Sequence, residues 1–193
     1  MNYPQYAKVN DKLYKINTDF RYAIECNRIA QDDSIGDVER ALAIIYTLFG
    51  EEGINALDDY EKLLERAKKY LSCGVEDDES IKEEPDMDYI EDMDYIEASF
   101  MSDYHIDLSN TKMHWWKFYN LINGLSNSEM GNCCVLNRIR NIRNYDPKEI
   151  KDTKEREKII KAKKRVALKR NQKKANKEQE KSQEKILRDL GLI

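Results

Sequence analysis

Glycine and proline are scarce in this 193-residue chain, at 7 and 3 respectively. An all-β sandwich or barrel needs frequent tight turns, so this shortage excludes that class. Long apolar runs are missing too. The longest, Ala41-Leu42-Ala43-Ile44-Ile45-Tyr46, falls far short of the roughly twenty residues a membrane-crossing helix requires. The first residues, Met1-Asn2-Tyr3-Pro4, have neither the basic nor the apolar region of a secretion signal. These absences predict a soluble protein of the cytoplasm with no membrane partner.

Histidine and cysteine are equally sparse. The histidines are His105 and His114; the cysteines are Cys26, Cys73, Cys133 and Cys134, with no C-x-x-C pair. A tetrahedral zinc site needs four clustered thiolate or imidazole ligands, and that spacing is lacking. The thiols read instead as small buried hydrophobes. A nucleophile pairing Cys133 or Cys134 with His114 needs a base and an oxyanion site. Both cysteines fall in a predicted amphipathic helix, and no loop supplies such a site. There is no glycine-rich phosphate loop. These residues give no expected catalytic residue, metal or cofactor.

What the chain has in abundance is charge, 36% of its residues. The net charge of −4 conceals a split. Residues 147–193 carry 17 basic and 8 acidic side chains, giving +9, and residues 1–146 carry the remainder at −13. The division predicts an acidic helical body, 1–146, and a basic tail, 147–193, that is helical or partly disordered. Within the body, residues 76–91 are acidic and poor in apolar side chains, which predicts an exposed linker. That stretch contains the first copy of a tandem hexapeptide: Asp86-Met87-Asp88-Tyr89-Ile90-Glu91, then Asp92-Met93-Asp94-Tyr95-Ile96-Glu97. Two such short copies read as a local duplication rather than a solenoid.

Periodicity predicts a mainly α fold: a helical bundle with one small N-terminal β-hairpin and a long basic C-terminal helix or tail. Alternating residues on either side of Asn10-Asp11 mark the hairpin. Thr18 and Ser34 are predicted to cap the first two helices, and Gly50 to end the second. A third helix is expected over about 55–72. Later helices are expected from the second hexapeptide copy, around His114, from Ser126 or Ser128, and from Asp146-Pro147.

Two constellations are candidate binding sites. In the first, His114 and Phe118 share one predicted helical face, Trp115 and Tyr119 occupy the adjacent stripe, and Trp116 lies further round. Adjacent tryptophans cannot both face one core centre. The cluster therefore reads either as core or as core plus a partner-binding anchor. The second is the basic run with Lys163, Lys164, Arg165, Lys169, Arg170, Lys173 and Lys174. It reads as a solvated helix, a surface for acidic protein, or a phosphate-neutralising patch for nucleic acid. It lacks aromatics for base stacking.

Several segments together look familiar: Asp19-Phe20-Arg21, Asp94-Tyr95-Ile96-Glu97-Ala98-Ser99-Phe100, Tyr104-His105-Ile106-Asp107-Leu108, Met113-His114-Trp115-Trp116-Lys117-Phe118 and Ile139-Arg140. They resemble the bacteriophage gene-product-fifteen family of Gram-positive phages and prophages. The resemblance extends to about Tyr145. Its members are encoded in the tail morphogenesis region and are similar in context to tail assembly chaperones. It implies a non-enzymatic protein of the host cytoplasm that binds the tape measure protein, with the tail-tube protein as a further partner, and that is absent from the mature virion. Nucleic-acid association through the basic tail is the alternative.

Overall fold

Two strands open the fold, β1 (Tyr6–Val9) and β2 (Lys12–Lys15), paired antiparallel with Val9 opposite Lys12. Asn10, at φ 51°, makes the tight connection; asparagine tolerates this left-handed conformation better than most residues. Ala7, Val9 and Tyr14 face the core, and Tyr6, Lys8 and Leu13 face outward. The protein is described here by a computed structural model covering residues 3–75, 85–127, 133–169, 171 and 188.

Seven α-helices follow among the described residues: α1 (Phe20–Ala30), α2 (Asp37–Ile54), α3 (Tyr60–Leu71), α4 (Met93–Tyr104), α5 (Trp115–Asn123), α6 (Val135–Asn144) and α7 (Thr153–Val166). α2 packs between α1 and α3, and α6 packs between α4 and α7. α5 joins the two groups. Its Phe118 stacks on Phe20 of α1 at 4.5 Å and on Phe100 of α4 at 5.2 Å between ring centroids. The fold is thus mainly helical with one N-terminal hairpin, as periodicity predicts.

Several helix starts differ from the expectation. Asp19, not Thr18, caps α1 by accepting from the Arg21 amide. Gly36, not Ser34, precedes α2, and its amide donates to the Glu39 carboxylate; Ser34 is held by Asp32. His114 is the cap of α5 rather than part of it. α6 begins after Cys134, whose sulfur accepts from the Asn137 amide, so neither Cys133 nor Cys134 lies inside a helix. Ser126 precedes α6 by several residues, and Ser128 lies outside the described residues. Asp146-Pro147 opens only a short 3-10 turn, Pro147–Glu149; α7 starts at Thr153, capped by Asp152. The third helix is likewise divided, a 3-10 turn at Leu57–Asp59 leading into α3.

The acidic segment also departs from its predicted exposure where it is described. Residues 85–91 pack on the body: Asp88 is 4% exposed, and Tyr89 meets Trp115 edge-on at 5.3 Å. The reason is two arginines on α6. Arg143 pairs with Asp92, and Arg140 with Asp86, the equivalent position in the first hexapeptide copy. Residues 76–84 lie outside the described residues. Packing also crosses the predicted body–tail boundary. α7 lies on α6, and Leu168 is only 1% exposed.

Candidate partner-binding surface

Three of the segments singled out in the sequence meet in one joint: Asp19-Phe20-Arg21, the one ending at Leu108, and the one opening at Met113. The start of α1 and the start of α5 are held side by side: the Phe20 amide donates to Met113 O at 2.9 Å, and the Trp115 amide to Thr18 O at 2.8 Å. Asp19 caps its own helix and also accepts from the Met113 amide at 3.3 Å. Arg21 pairs with Asp19 and donates through Nη2 to Leu108 O at 2.6 Å, Thr111 O at 3.2 Å and Ser109 O at 3.3 Å. Charge-assisted bonds to carbonyls are among the stronger hydrogen bonds. Asp19, Arg21 and the 108–111 turn therefore fix how α5 leaves the body.

His114 completes the joint. Its Nδ1 accepts from the Trp116 amide at 3.1 Å, so the proton of the neutral ring sits on Nε2. Nε2 then donates to Pro4 O at 3.0 Å, and the ring stacks on Tyr3 with centroids 4.9 Å apart. Both ring nitrogens are engaged in structure.

The tryptophans diverge, as their adjacency requires. Trp115 is 1% exposed and enters the aromatic core with Phe118, which is fully buried, and Tyr119. Trp116 is half-buried and lies toward Tyr70. Yet the two act on the same helix end. Trp115 Nε1 donates to Leu71 O at 3.0 Å, and Trp116 Nε1 to Tyr70 O at 2.9 Å. The last carbonyls of a helix lack intrahelical donors, and the indoles supply them for α3.

Trp116 and Tyr70 belong to the lining of an open groove of about 440 Å³ between the hairpin and α3. Pro4, Tyr6, Ala7, Lys8, Asn10 and Ile16 line the hairpin side, and Arg66 and Lys69 the α3 side. Sequence reasoning reached Trp116 but missed the cations. Their signal was present: Arg66 and Lys69 stand three apart on the polar face of a helix, and Tyr6 and Lys8 alternate outward on a strand.

The remaining candidates scatter. Lys163 is half-buried and donates to Tyr145 O, whereas Lys164, Arg165 and Lys169 are exposed. Arg170, Lys173 and Lys174 fall outside the residues whose side chains are described. The thiols nearest the joint are held protonated: burial pushes Cys26 and Cys73 up to about 12. Burial likewise raises the Tyr70 and Tyr89 phenols above their ordinary values. Among the described residues, no three His, Cys, Asp or Glu side chains gather as a metal site would require, and no helix is long and apolar enough to cross a membrane.

Comparison with known proteins bears on this geometry. The searches of curated proteins and of solved structures return no match. The model of the family described as Bacteriophage Gp15 protein matches residues 3–168, ending at the buried Leu168. The chain belongs to this phage family.

Proposed function

We propose that this phage protein is a tail assembly chaperone that binds the tape measure protein during tail morphogenesis, and does so without catalysis. The observation that supports the reading best is the unequal treatment of two adjacent tryptophans. Trp115 is consumed by the core, whereas Trp116 keeps part of its surface beside an open groove. Tryptophan is enriched among residues that dominate binding energy at interfaces. A chaperone for a long apolar helix needs such an anchor, and also enough surface charge to resist self-association. A non-catalytic role agrees with the two engaged nitrogens of His114 and the protonated thiols nearby. Action in the host cytoplasm, with the chaperone left out of the finished particle, belongs to the same proposal, as does a handover to the tail-tube protein.

Co-expression with the tape measure protein tests it. The two are expected to co-purify, and the tape measure protein to be less soluble alone. Failure to co-purify at low and moderate salt would sink the reading. The second reading, nucleic-acid association, draws on exposed Lys164, Arg165 and Lys169. It requires a salt-sensitive gel shift with DNA.

A further inference from the structure

The groove between the hairpin and α3 has a chemistry of its own, set against the charge of the molecule around it. Residues 1–146 sum to −13. Yet the charged side chains lining the groove are Lys8, Arg66 and Lys69, all cationic, with no carboxylate among the described lining residues. Arg66 and Lys69 project from one face of α3 across from Lys8, which stands on the outward face of β1 beside Tyr6. The walls between these charges are Pro4, Tyr6, Tyr70 and Trp116. The Trp116 indole N–H is already given to Tyr70 O, which leaves the ring to apolar contact. Among the described residues β1 pairs with β2 on one side only, and the outward side of the hairpin continues from Tyr6, 56% exposed, to Leu13, 58% exposed.

We propose that this groove docks an acidic peptide segment of a partner protein, one apolar or aromatic side chain seated against Trp116 and flanking carboxylates facing Lys8, Arg66 and Lys69. The inference rests on the reading of the chain as a partner-binding protein and names the chemistry of the segment bound. Three features select this occupant. A recess whose charged lining is wholly cationic focuses its field on an anionic ligand and orients it. Its volume lies within the ordinary range of ligand pockets, near the lower end, so it suits a short segment rather than a long helix laid flat. An edge strand offers backbone groups to an extended peptide, which a nucleic acid does not use.

The test uses the full chain and a short dye-labelled peptide of alternating Glu and Leu with one central Phe. The comparison peptide carries Lys at every Glu position. The acidic peptide is expected to bind and the basic one to fail. Arg66→Glu with Lys69→Glu, both on the exposed face of α3, should leave the helical circular dichroism spectrum unchanged and weaken binding about tenfold or more, the loss shrinking as salt is added. Binding should also change the intrinsic tryptophan emission, and that change should vanish in Trp116→Phe, because Trp115 is 1% exposed. Equal binding of the two peptides, or undiminished binding by the charge-reversed variant, overturns the proposal. So does an oligothymidylate that binds the wild type and is lost on charge reversal, which would assign the groove to nucleic acid. Co-purification with the tape measure protein separates the two levels. If the wild type captures it and the charge-reversed variant does so equally, the groove assignment fails and the chaperone reading stands. If the acidic peptide binds while the tape measure protein is never captured, the groove assignment stands and the chaperone reading fails.

Discussion

Arg143 is the residue on which the second half of the molecule turns. It donates to Asp92 through Nη1 at 2.6 Å and Nη2 at 2.7 Å, to Asp86 O at 2.8 Å, and through Nε to Val166 O at 2.6 Å. One guanidinium thereby ties α6 to the start of α4, to the first hexapeptide copy and to the end of α7. The pair is buried, with side chains 10% and 1% exposed. Removing the cation leaves the Asp92 carboxylate uncompensated away from water, so Arg143→Ala should cost about 3–5 kcal/mol. Arg140 and Asp86, at 32% and 22% exposed, are partly solvated. Arg140→Ala should cost about 1 kcal/mol or less. Urea denaturation of both variants checks the ranking, and equal losses would contradict it. A second residue-scale expectation concerns acid. The Ser126 amide, with help from the Ser102 hydroxyl, holds the Asp103 carboxylate below its usual range, and Ser109 and Asn110 do the same for Asp107. Carboxylates depressed in the folded state stabilise it fully above the ordinary aspartate value near pH 4 and lose that contribution as pH falls through their lowered values. The urea midpoint should hold level from about pH 7 to 5 and fall below about 4. Asp103→Asn should make that fall shallower, whereas a decline already complete by pH 5 would point to other groups.

At the scale of elements, α2 shows how a helix break is put to use. Gly50 sits at φ 65°, ψ −156°, a conformation open almost only to glycine, and the chain then resumes helical turns to Ile54. Asn17 binds two carbonyls just before the break: its side-chain amide donates to Thr47 O at 2.9 Å and its backbone amide to Leu48 O at 2.8 Å. The segment after the hairpin is thereby fastened to α2. A Cβ at Gly50 would meet nothing within 4 Å, so Gly50→Ala isolates backbone strain from clash. It should cost about 1–3 kcal/mol by thermal or urea unfolding; a neutral result would mean the break relaxes freely. Helix starts show where sequence reading runs short. The Asn10 turn and the divergence of Trp115 from Trp116 were legible because each follows from local geometry. The caps were not, because Thr18 and Asp19, or Ser34 and Gly36, are near-equal local candidates. At Asp19 a distant partner decides, the Met113 amide, whereas Ser34 is taken up by Asp32 and the Gly36 amide by Glu39. His114 as a cap was illegible for the same reason, since its place depends on Pro4 and Tyr3.

At the scale of the whole molecule, composition located the charge asymmetry correctly but not where packing stops. Counting acidic and basic residues places a boundary at 146/147. Packing ignores it, because Leu168 and the Val166 carbonyl are bound by the body, and the Lys169 amide donates to Glu91 at 2.9 Å. Long-range partners of this kind leave no periodic trace, just as the arginines that draw residues 85–91 onto α6 leave none in an acidic stretch that reads as solvated. Truncation separates the two boundaries. A chain ending at residue 171 keeps every one of these contacts and should stay folded with α7 and Leu168 in place. A chain ending at residue 150 loses α7 and Leu168. Burying one leucine contributes about 1.5–3 kcal/mol, and Arg143 would also lose its Val166 partner, so this variant should unfold at clearly lower urea. Binding then assigns the function to a region. If the surface around Trp116 carries partner recognition, the 171-residue chain should capture the tape measure protein as well as the full chain does, because the groove and the joint beneath it lie entirely before that end. Loss of capture with unchanged stability would move recognition into the basic tail, and a parallel loss of DNA gel shift would mark that tail as a binder of polyanions.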